Sequence, residues 1–428
     1  MGKKPVINYF INKIIRCIIQ FYSLLPSKAL ILLPFYIMSQ ATFLDSTLLY
    51  EQRKRIRLAV SLFYFCQGLA FASWASRIPT IKTALDITEG QLGTILLMLP
   101  LGQLMTMTLS GRLVTRFGSA KVLSIACIFY AAVLCLLALA DSALTLGAIL
   151  LLFGVFGNMC NVAVNTQGVA VEKIYNKSIM ASFHGAWSIA GFTGALIGLL
   201  TINLHLDSAT HFILIFFIVL TSMLINRKYL VPGKTNEAKK KGLIRPDSML
   251  IQLGVLGFLS MATEGAMFDW SGVYFKEVVQ APEQWVPVGY ASFMVMMASG
   301  RFIGDFIIAK IGRKSALKLS GLLMCSGMLL SVFFPYFGIC ILAFMMVGLG
   351  VACVVPTVYS VAGQHPAIAP GKALAMVSSI SFLGFLMGPP LIGYIAEWLD
   401  LRFSYATFAV FGLVLAVLSQ NMSILKRN

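Results

Sequence analysis

The sequence predicts an all-α membrane protein in which twelve transmembrane helices form two pseudo-symmetric six-helix bundles. The 428-residue chain is 58% hydrophobic and 11% charged, whereas a soluble domain carries about 25% charged residues. Twelve apolar segments of roughly 20 residues follow one another, which is the length that crosses a bilayer core about 30 Å thick as a helix. The second half of the chain also repeats features of the first half at one fixed offset.

The apolar segments set the order of the elements. In the first half they lie at 58–79, 91–111, 121–140, 144–170, 179–201 and 209–227. In the second half they lie at 248–273, 287–309, 315–334, 337–363, 373–394 and 403–423. Because a backbone in lipid must satisfy its own hydrogen bonds, each segment is expected to be a helix.

Alternate loops differ sharply in their content of Lys and Arg. Beyond residue 57, 20 basic residues fall on one side and 4 on the other when Arg301 is counted with the basic side. The four exceptions are Arg77, Lys82, Lys276 and Arg402. Basic loops are retained in the cytoplasm, so both ends of the twelve-helix core are predicted to be cytoplasmic. The membrane is expected to be the plasma membrane, which is the inner membrane if the protein is bacterial.

An offset of 194 residues relates the two halves of the chain. It connects Lys82 with Lys276, Gly118 with Gly312, Gly154 with Gly348, Ala181 with Ala375, and Gly194 with Gly388. Such parallel repeats place a binding site at mid-membrane, between the halves. The predicted divisions are an extension, cytoplasmic or interfacial, at 1–57, an N-terminal bundle at 58–227, a cytoplasmic linker at 228–247, a C-terminal bundle at 248–423 and a cytoplasmic tail at 424–428.

Two basic, glycine-containing stretches occupy matching places in the halves, after the second and eighth segments. The residues predicted to form gates there are Gly111, Arg112, Arg116, Gly118, Arg301, Asp305, Gly312 and Arg313. These stretches resemble the two copies of the signature loop of the major facilitator superfamily, and the resemblance covers the chain from about residue 55. It implies transport by alternating access. The first copy departs from the pattern because Thr115 stands where an acid is usual, and basic loops would also arise from topology alone.

Polar residues inside the apolar segments are the candidate substrate-binding groups, because polar groups are costly in lipid. In the fourth segment, Asn158, Asn161 and Asn165 share one narrow helix face. Their amides can bind the hydroxyl groups of a solute or, equally, neighbouring helices. In the first segment, Gln67 and Trp74 share a face with further aromatic residues, which suits a sugar ring but also ordinary aromatic packing. Tyr359 in the tenth segment is a further candidate for substrate binding.

Two titratable residues are the candidates for proton coupling. Glu264 is the one carboxylate well inside a segment, and a buried carboxyl group can carry a proton. His184, at the start of the fifth segment, could carry a proton or donate to a substrate, or it could belong to a packing face of small residues. Asp269 is expected to be solvated near the surface, and Arg77 is expected to extend its charge to the interface.

The run Gly157-Asn-Met-Cys-Asn161-Val-Ala-Val-Asn165, with Ser182-Phe-His-Gly, resembles the fucose-permease-like sugar branch of the superfamily. That resemblance implies a sugar substrate and proton coupling. Asn161 occupies the position at which such relatives often carry the coupling acid. Since an amide cannot titrate, the resemblance implies that coupling has moved to Glu264 or His184, or has been lost.

The function predicted from the sequence is secondary active transport of a small polar organic solute, a sugar or sugar-like metabolite, with a proton as the coupling ion. Two alternatives stay open: an exporter of drugs or amphipathic metabolites, and a transporter-like sensor without net flux. The chain carries no Walker A loop and no G-x-S-x-G, H-E-x-x-H or G-x-G-x-x-G run. An enzyme, a cofactor, a metal site and a nucleic-acid partner are therefore not expected, and the protein is predicted to be a monomer.

Overall fold

The computed structural model describes residues 29–175, 179–232, 247–366, 368 and 370–422. These residues form helices and turns, with no strand among them. In the first half the helices are α1 (Ala29–Ala84), α2 (Glu89–Phe117), α3 (Ser119–Leu137), α4 (Ala143–Tyr175), α5 (Met180–Asn203) and α6 (Ser208–Asn226), followed by a 3₁₀ turn at Arg227–Tyr229. Of the segments predicted outside the two bundles, residues 1–28, most of the linker (233–246) and the tail at 424–428 lie outside the described residues.

The second half contains α7 (Ser248–Glu277), a 3₁₀ turn at Glu283–Trp285, α8 (Val288–Phe333), α9 (Phe337–Ala352), α10 (Val354–Gly363), α11 (Pro370–Trp398) and α12 (Leu401–Asn421). Within the described residues, twelve helical stretches are long and apolar enough to cross a membrane. The prediction of twelve membrane-spanning helices is therefore confirmed.

Three elements differ from the sequence prediction. The first helix, α1, begins at Ala29 and not at residue 58. The eighth and ninth segments form the continuous helix α8, which kinks at Gly312. The tenth segment is split into α9 and α10 at Cys353. Pro356 explains the split, because proline has no N–H to bond the carbonyl of Ala352 and its ring clashes there.

Two glycines mark equivalent turns in the two halves. Gly118 has φ 86° and ψ 144°, and Gly312 has φ 80° and ψ 156°. This region of backbone space is essentially closed to residues with a Cβ atom. The two are the glycines of positive φ in the described part of the chain, and they are separated by the repeat offset. The turn after α2 and the kink in α8 are therefore the same structural feature.

Helix packing follows the same repeat. A Cβ atom on Gly154 would lie 2.0 Å from the carbonyl oxygen of Leu99, and one on Gly348 would lie 2.3 Å from that of Phe293. Leu99 and Phe293 are themselves separated by 194 residues. Small residues let helix backbones approach closely in membranes. The close contact of α4 with α2 is thus repeated by α9 against α8.

The chain divides into two compact units, Met1–Arg57 and Leu58–Asn428. Within the second unit, α7 packs on α11, and α8 packs on α9 and α12. Helices of the two halves meet where α2 packs on α11 and where α5 packs on α8.

Acidic caps begin helices outside the membrane-spanning stretches. The carboxylate of Asp247 accepts the N–H of Leu250 at 2.9 Å at the start of α7, and Nε2 of His365 lies 2.7 Å from its other oxygen. The Leu250 N–H, with the nearby His365, lowers the pKa of Asp247. Asp207 caps α6 in the same way, and its bond with Thr210 lowers its pKa. Each cap satisfies an N–H that the first helical turn leaves unbonded.

Candidate functional site

A cavity of about 270 Å³ lies among helices of both halves. Ligand pockets typically measure about 300–1,000 Å³, so this cavity suits a small solute. Its walls carry both polar and aromatic side chains. The lining residues are Tyr64, Gln67, Phe71, Gln103, Tyr130, Gly157, Asn161, His184, Trp187, Met261, Glu264, Phe268, Arg301, Phe382 and Phe385.

Of the three amide side chains that line the cavity, those of Gln67 and Asn161 are held in place by neighbours. Gln67 donates from Nε2 to the carbonyl oxygen of Gly157 at 3.2 Å, which joins α1 to α4. The hydroxyl of Tyr64 donates to Oδ1 of Asn165 at 2.8 Å, and Nδ2 of Asn165 donates to Oδ1 of Asn161 at 2.7 Å. Asn165 thus orients Asn161, and the Nδ2 donors of Asn161 have no protein partner among the described residues. Asn161 and Gln103, whose side-chain amide also has no hydrogen-bond partner among the described residues, are therefore the lining amides with donors left for a solute.

Four predicted substrate-binding residues do not line this cavity: Asn165, which contacts Asn161 as described, and Asn158, Trp74 and Tyr359. Asn158 is buried between helices, where Nδ2 donates to the Ser110 hydroxyl at 3.0 Å. Trp74 is fully buried in α1, and its Nε1 has no partner in the described residues. Tyr359 lies half-buried on α10. Asn158 faces α2 because it precedes Asn161 by three residues, a rotation of about 60° around the helix.

An ion pair crosses the cavity. Nη2 of Arg301 donates to Oε1 of Glu264 at 2.9 Å, and Nη1 donates to the hydroxyl of Ser188 at 2.9 Å. The side chains of Arg301 and Glu264 are 22% and 11% exposed. These three residues lie on α8, α7 and α5, so one guanidinium joins both halves of the protein.

This position of Arg301 corrects the sequence analysis. Arg301 was counted with the cytoplasmic basic residues and assigned to the second gate, but it lies eleven residues before Gly312 in α8. At a rise of 1.5 Å per residue, that is about 16 Å from the turn. Its side chain lies in the cavity, and Glu264 has a basic partner that the sequence did not indicate.

The other predicted gate residues lie at the helix ends. Arg112 and Arg116 are exposed, and the Arg116 guanidinium lies 5.2 Å from the centre of the Phe117 ring. Arg313 donates to the side-chain oxygen of Gln364 at 3.2 Å. A Cβ atom added to Gly111 would meet no atom of a neighbouring residue within 4 Å. The side chain of Asp305 lies outside the described part of the structure.

His184 is exposed to the cavity, with its ring 5.5 Å from that of Tyr64 in an edge-on arrangement. One helical turn beyond the polar groups, the rings of Phe71, Trp187 and Phe268 form a cluster. Phe71 lies 5.4 Å from Phe268 and 6.0 Å from Trp187 between ring centres. Because α1 and α5 belong to one half and α7 to the other, this aromatic cluster joins the halves where it lines the cavity on the side towards Lys82.

Beyond the aromatic cluster, polar contacts join the two halves at the Lys82 end. Nζ of Lys82 lies 2.5 Å from Glu277 and 2.8 Å from Glu89. Other contacts at this end connect further loops and helix ends of the two halves. They join Lys276 to Thr83, Thr88 to Glu397, Thr94 to Tyr394, and Asn203 to Gln284.

Two of these contacts are reciprocal. Lys82 binds Glu277, and Lys276 donates to the Thr83 hydroxyl at 2.6 Å. Residues 82 and 276 differ by 194, as do residues 83 and 277. The lysine of each half therefore contacts, in the other half, the residue that follows the equivalent lysine. A two-fold relation between α1 and α7 requires such a reciprocal pair of contacts.

Two further charged residues are more buried than the sequence predicts. Asp269 is 7% exposed, and its carboxylate has no hydrogen bond or ion pair within the described residues. Arg77 is 3% exposed and donates to Nδ1 of His211, the hydroxyl of Thr201 and the carbonyl oxygen of Leu206. Both expectations were wrong because neighbouring helices cover these positions. Across the described residues, no cluster of three or more His, Cys, Asp or Glu side chains could hold a metal ion.

Residues 60–370 match the family model of the Major Facilitator Superfamily. The chain belongs to this superfamily of transporters and is a multi-pass membrane protein. This confirms the resemblance seen in the gate stretches, while the fucose-permease-like branch stays a prediction.

Sequence and structural relatives agree with this assignment. The chain is 32% identical over 367 residues to the membrane protein MosC of Rhizobium meliloti, covering 84% of this chain and 88% of MosC. Its fold is similar to a mutant of the nucleoside transporter NupG, with a TM-score of 0.71 and 14% identity over 86% of this chain and all of that one. A D-xylose-proton symporter matches with a TM-score of 0.66 and 16% identity, over 85% of this chain and 97% of that one.

Proposed function

We propose that the protein is a secondary active transporter of a small hydroxylated solute, a sugar or sugar-like metabolite, moved together with protons. The observation that carries this proposal is the cavity between the halves, where donor groups of Gln67, Asn161 and His184 stand beside aromatic rings. Amides bind hydroxyl groups, and aromatic faces pack on the apolar face of a sugar ring. The D-xylose-proton symporter named above shows that a similar fold can serve a sugar.

The contacts at the Lys82 end support alternating access. In this proposal the structure represents the state closed at that end, and transport requires that Lys82 release Glu277 while the halves rock about the cavity. By the distribution of Lys and Arg, the Lys82 end faces away from the cytoplasm. The gates at Gly118 and Gly312 then act at the cytoplasmic end, in a monomer of the plasma membrane.

Glu264 is the proposed proton carrier because it is the carboxylate that lines the cavity. A proton on Glu264 would weaken its ion pair with Arg301, and that pair joins helices α7 and α8. Protonation can therefore change both the binding site and the packing around it. His184 faces the same cavity and is the second candidate.

The decisive experiment is flux through the purified protein in proteoliposomes. A thermal-shift screen over neutral sugars, sugar acids and amino sugars first selects solutes that bind. Uptake of a selected solute should exceed that of protein-free vesicles and should rise when an inward proton gradient is imposed. Uptake that ignores the gradient would remove the coupling proposal, and binding without uptake would favour the sensor alternative. Preference for bulky amphipathic compounds would favour the exporter alternative.

Two amides on α4 provide a matched test of the site. Asn161→Ala should raise the solute concentration needed for half-maximal uptake by about tenfold, since a hydrogen bond in a binding site contributes on the order of 1–2 kcal/mol. Asn158→Ala should instead lower thermal stability, because it leaves the α2–α4 contact unpaired. Equal effects of both variants on half-maximal uptake would place the site elsewhere.

A further inference from the structure

The cavity is lined by few charged side chains. Among its lining side chains, Arg301 and Glu264 carry formal charges at neutral pH, and they neutralise each other across 2.9 Å. The remaining polar lining groups are amides, phenols and the imidazole of His184. A solute without charge can enter this cavity and leave the ion pair intact, whereas a charged solute must compete for one of its members.

The two members of the pair respond differently to such competition. A cationic solute would take Glu264 and leave the guanidinium of Arg301 without a counter-charge, and an arginine cannot lose its proton in a protein. An anionic solute would take Arg301 and leave Glu264, and a carboxylate can neutralise itself by binding a proton. Only the second exchange leaves no unpaired charge in the cavity.

The geometry of Arg301 suits the second exchange. Its guanidinium has five N–H donors, and the contacts with Ser188 and Glu264 occupy two of its nitrogens. A guanidinium binds a carboxylate through two parallel hydrogen bonds. Since Glu264 lies on α7 and Arg301 on α8, a solute anion on Arg301 would replace a contact within the C-terminal half, while the contact of Arg301 with Ser188 on α5 can still join the halves.

Other titratable groups surround Glu264 and bear on its proton. They are spread over four helices packed around the cavity. Arg301 on α8 contacts Glu264, and Tyr290 on α8 and Tyr359 on α10 lie within electrostatic reach of it. His184 on α5 lies within reach of Arg301, and Asp269, on the same helix as Glu264, lies within reach of Tyr290. Of these groups, Arg301 is the one in direct contact with the carboxylate of Glu264. Loss of that contact is therefore the step that allows Glu264 to bind a proton.

We propose that the transported solute is a hydroxylated organic anion of the sugar-acid type, bound through Arg301, and that Glu264 accepts one proton when the solute displaces it. This rests on the function proposed above and names its substrate class. The translocated load is one anion and one proton, so its net charge is zero. No covalent bond changes, and the proton leaves Glu264 when the anion departs and the ion pair forms again.

The test compares three hexose derivatives that share one ring and differ in charge. D-glucose, D-glucuronate and D-glucosamine are neutral, anionic and cationic at pH 7. Each is offered to the purified full-length protein in proteoliposomes, with a wider set of aldonates and hydroxy acids beside it. The anions should be taken up with an apparent affinity at least tenfold higher than their neutral counterparts. That affinity should rise as the pH falls from 8 to 6.

Membrane potential gives the sharper readout. With equal pH on both sides, a potassium diffusion potential should leave anion uptake by the wild type unchanged, because the load is neutral. Glu264→Gln should still take up the anion, with an affinity independent of pH, and its uptake should follow the potential because the anion travels without a proton. Glu283→Gln, an exposed carboxylate on the loop before α8, is the matched control and should behave as the wild type.

A double variant serves as the control for loss of folding. Arg301→Gln with Glu264→Gln leaves the cavity without formal charge, so it should fold and yet take up no anion. Proton-coupled uptake of neutral sugars with anions ignored would overturn this inference and leave the proposed function standing. Uptake of none of the solutes would overturn both, and potential-driven anion uptake by the wild type would overturn the co-bound proton.

Discussion

The two halves of this transporter share their packing but differ in their chemistry. The glycine contacts at Gly154 and Gly348 are equivalent, and so are the turns at Gly118 and Gly312. The cavity groups are not equivalent. The repeat offset places Met107 opposite Arg301 and Ala70 opposite Glu264.

The neutral amide groups of the cavity lie in the N-terminal half, and the equivalent positions of the C-terminal half are apolar. Gln67 corresponds to Met261, and Asn161 corresponds to Val355. The N-terminal half therefore provides amides, and the C-terminal half provides the ion pair. Helix packing constrains both halves equally because each must bury the same backbone contacts, whereas the proposed solute, bound between them, would contact different groups on its two sides.

The largest expected effect comes from giving the C-terminal half the residues of the N-terminal half. Arg301→Met leaves Glu264 without its partner and should lower the free energy of unfolding by about 3 kcal/mol, within the range for breaking a buried ion pair. Adding Glu264→Ala should recover most of this loss, because no unpaired charge then remains. Both variants should lose flux. Chemical unfolding in detergent measures the stability, and proteoliposome uptake measures the flux.

The comparison would be weakened if the double variant were as unstable as the single one. That result would mean that the two positions contribute through packing rather than charge. The cavity chemistry of the halves would then differ less than their residues suggest.

An intermediate effect on stability is expected from replacing the glycines that occupy equivalent positions in the two halves. Gly154→Ala and Gly348→Ala each place a Cβ atom within 2.3 Å of a carbonyl oxygen on the neighbouring helix, and such overpacking typically costs about 1–3 kcal/mol. The two variants should lose similar stability because the contacts are equivalent. Gly338→Ala is the control, since a Cβ atom added to Gly338 would meet no atom of a neighbouring residue within 4 Å. Unequal losses at 154 and 348 would show that the repeat is looser than the distances indicate.

The smallest effect is expected at the Lys82 end, where the halves meet with unequal partners. Lys82 has two carboxylates, and Lys276 has the Thr83 hydroxyl. Lys82→Met should favour the state open at this end several-fold, since partly exposed ion pairs contribute about 1 kcal/mol or less. Lys276→Met should do so less. Spin labels at the exposed positions 204 and 285 would report a longer distance as the halves separate.

Equal responses to the two lysine substitutions would contradict the assignment of the stronger contact to Lys82. A response to neither would mean that the aromatic cluster of Phe71, Trp187 and Phe268 holds this end closed without help from the polar contacts.

The sequence was sufficient for those features that depend on chain-local physics. Hydropathy located the membrane-spanning helices because lipid excludes unpaired backbone groups, and this requirement acts on each segment separately. The repeat offset identified Gly118 and Gly312 before their backbone conformations were known. Gln67, Asn161, His184 and Glu264 were singled out because polar groups in apolar segments are rare and costly, and these four line the cavity.

The remaining features needed the arrangement of helices around one another. Asn158 and Asn161 share a helix face in sequence, yet one binds α2 and the other faces the cavity. Trp74 lies beyond the cavity although it shares a face with Gln67. A difference of one helical turn or about 60° of rotation decides whether a side chain lines the cavity or packs between helices. No local sequence pattern fixes the rotation of a helix against its neighbours.

By itself, then, the amino-acid sequence determined the class of protein, the number of its helices and the family to which it belongs. Only the tertiary structure decided that the side chain of Arg301 lines the cavity, and that its partner is Glu264. The reason is that the two residues are 37 positions apart on separate helices. Their ion pair exists only where α7, α8 and α5 converge.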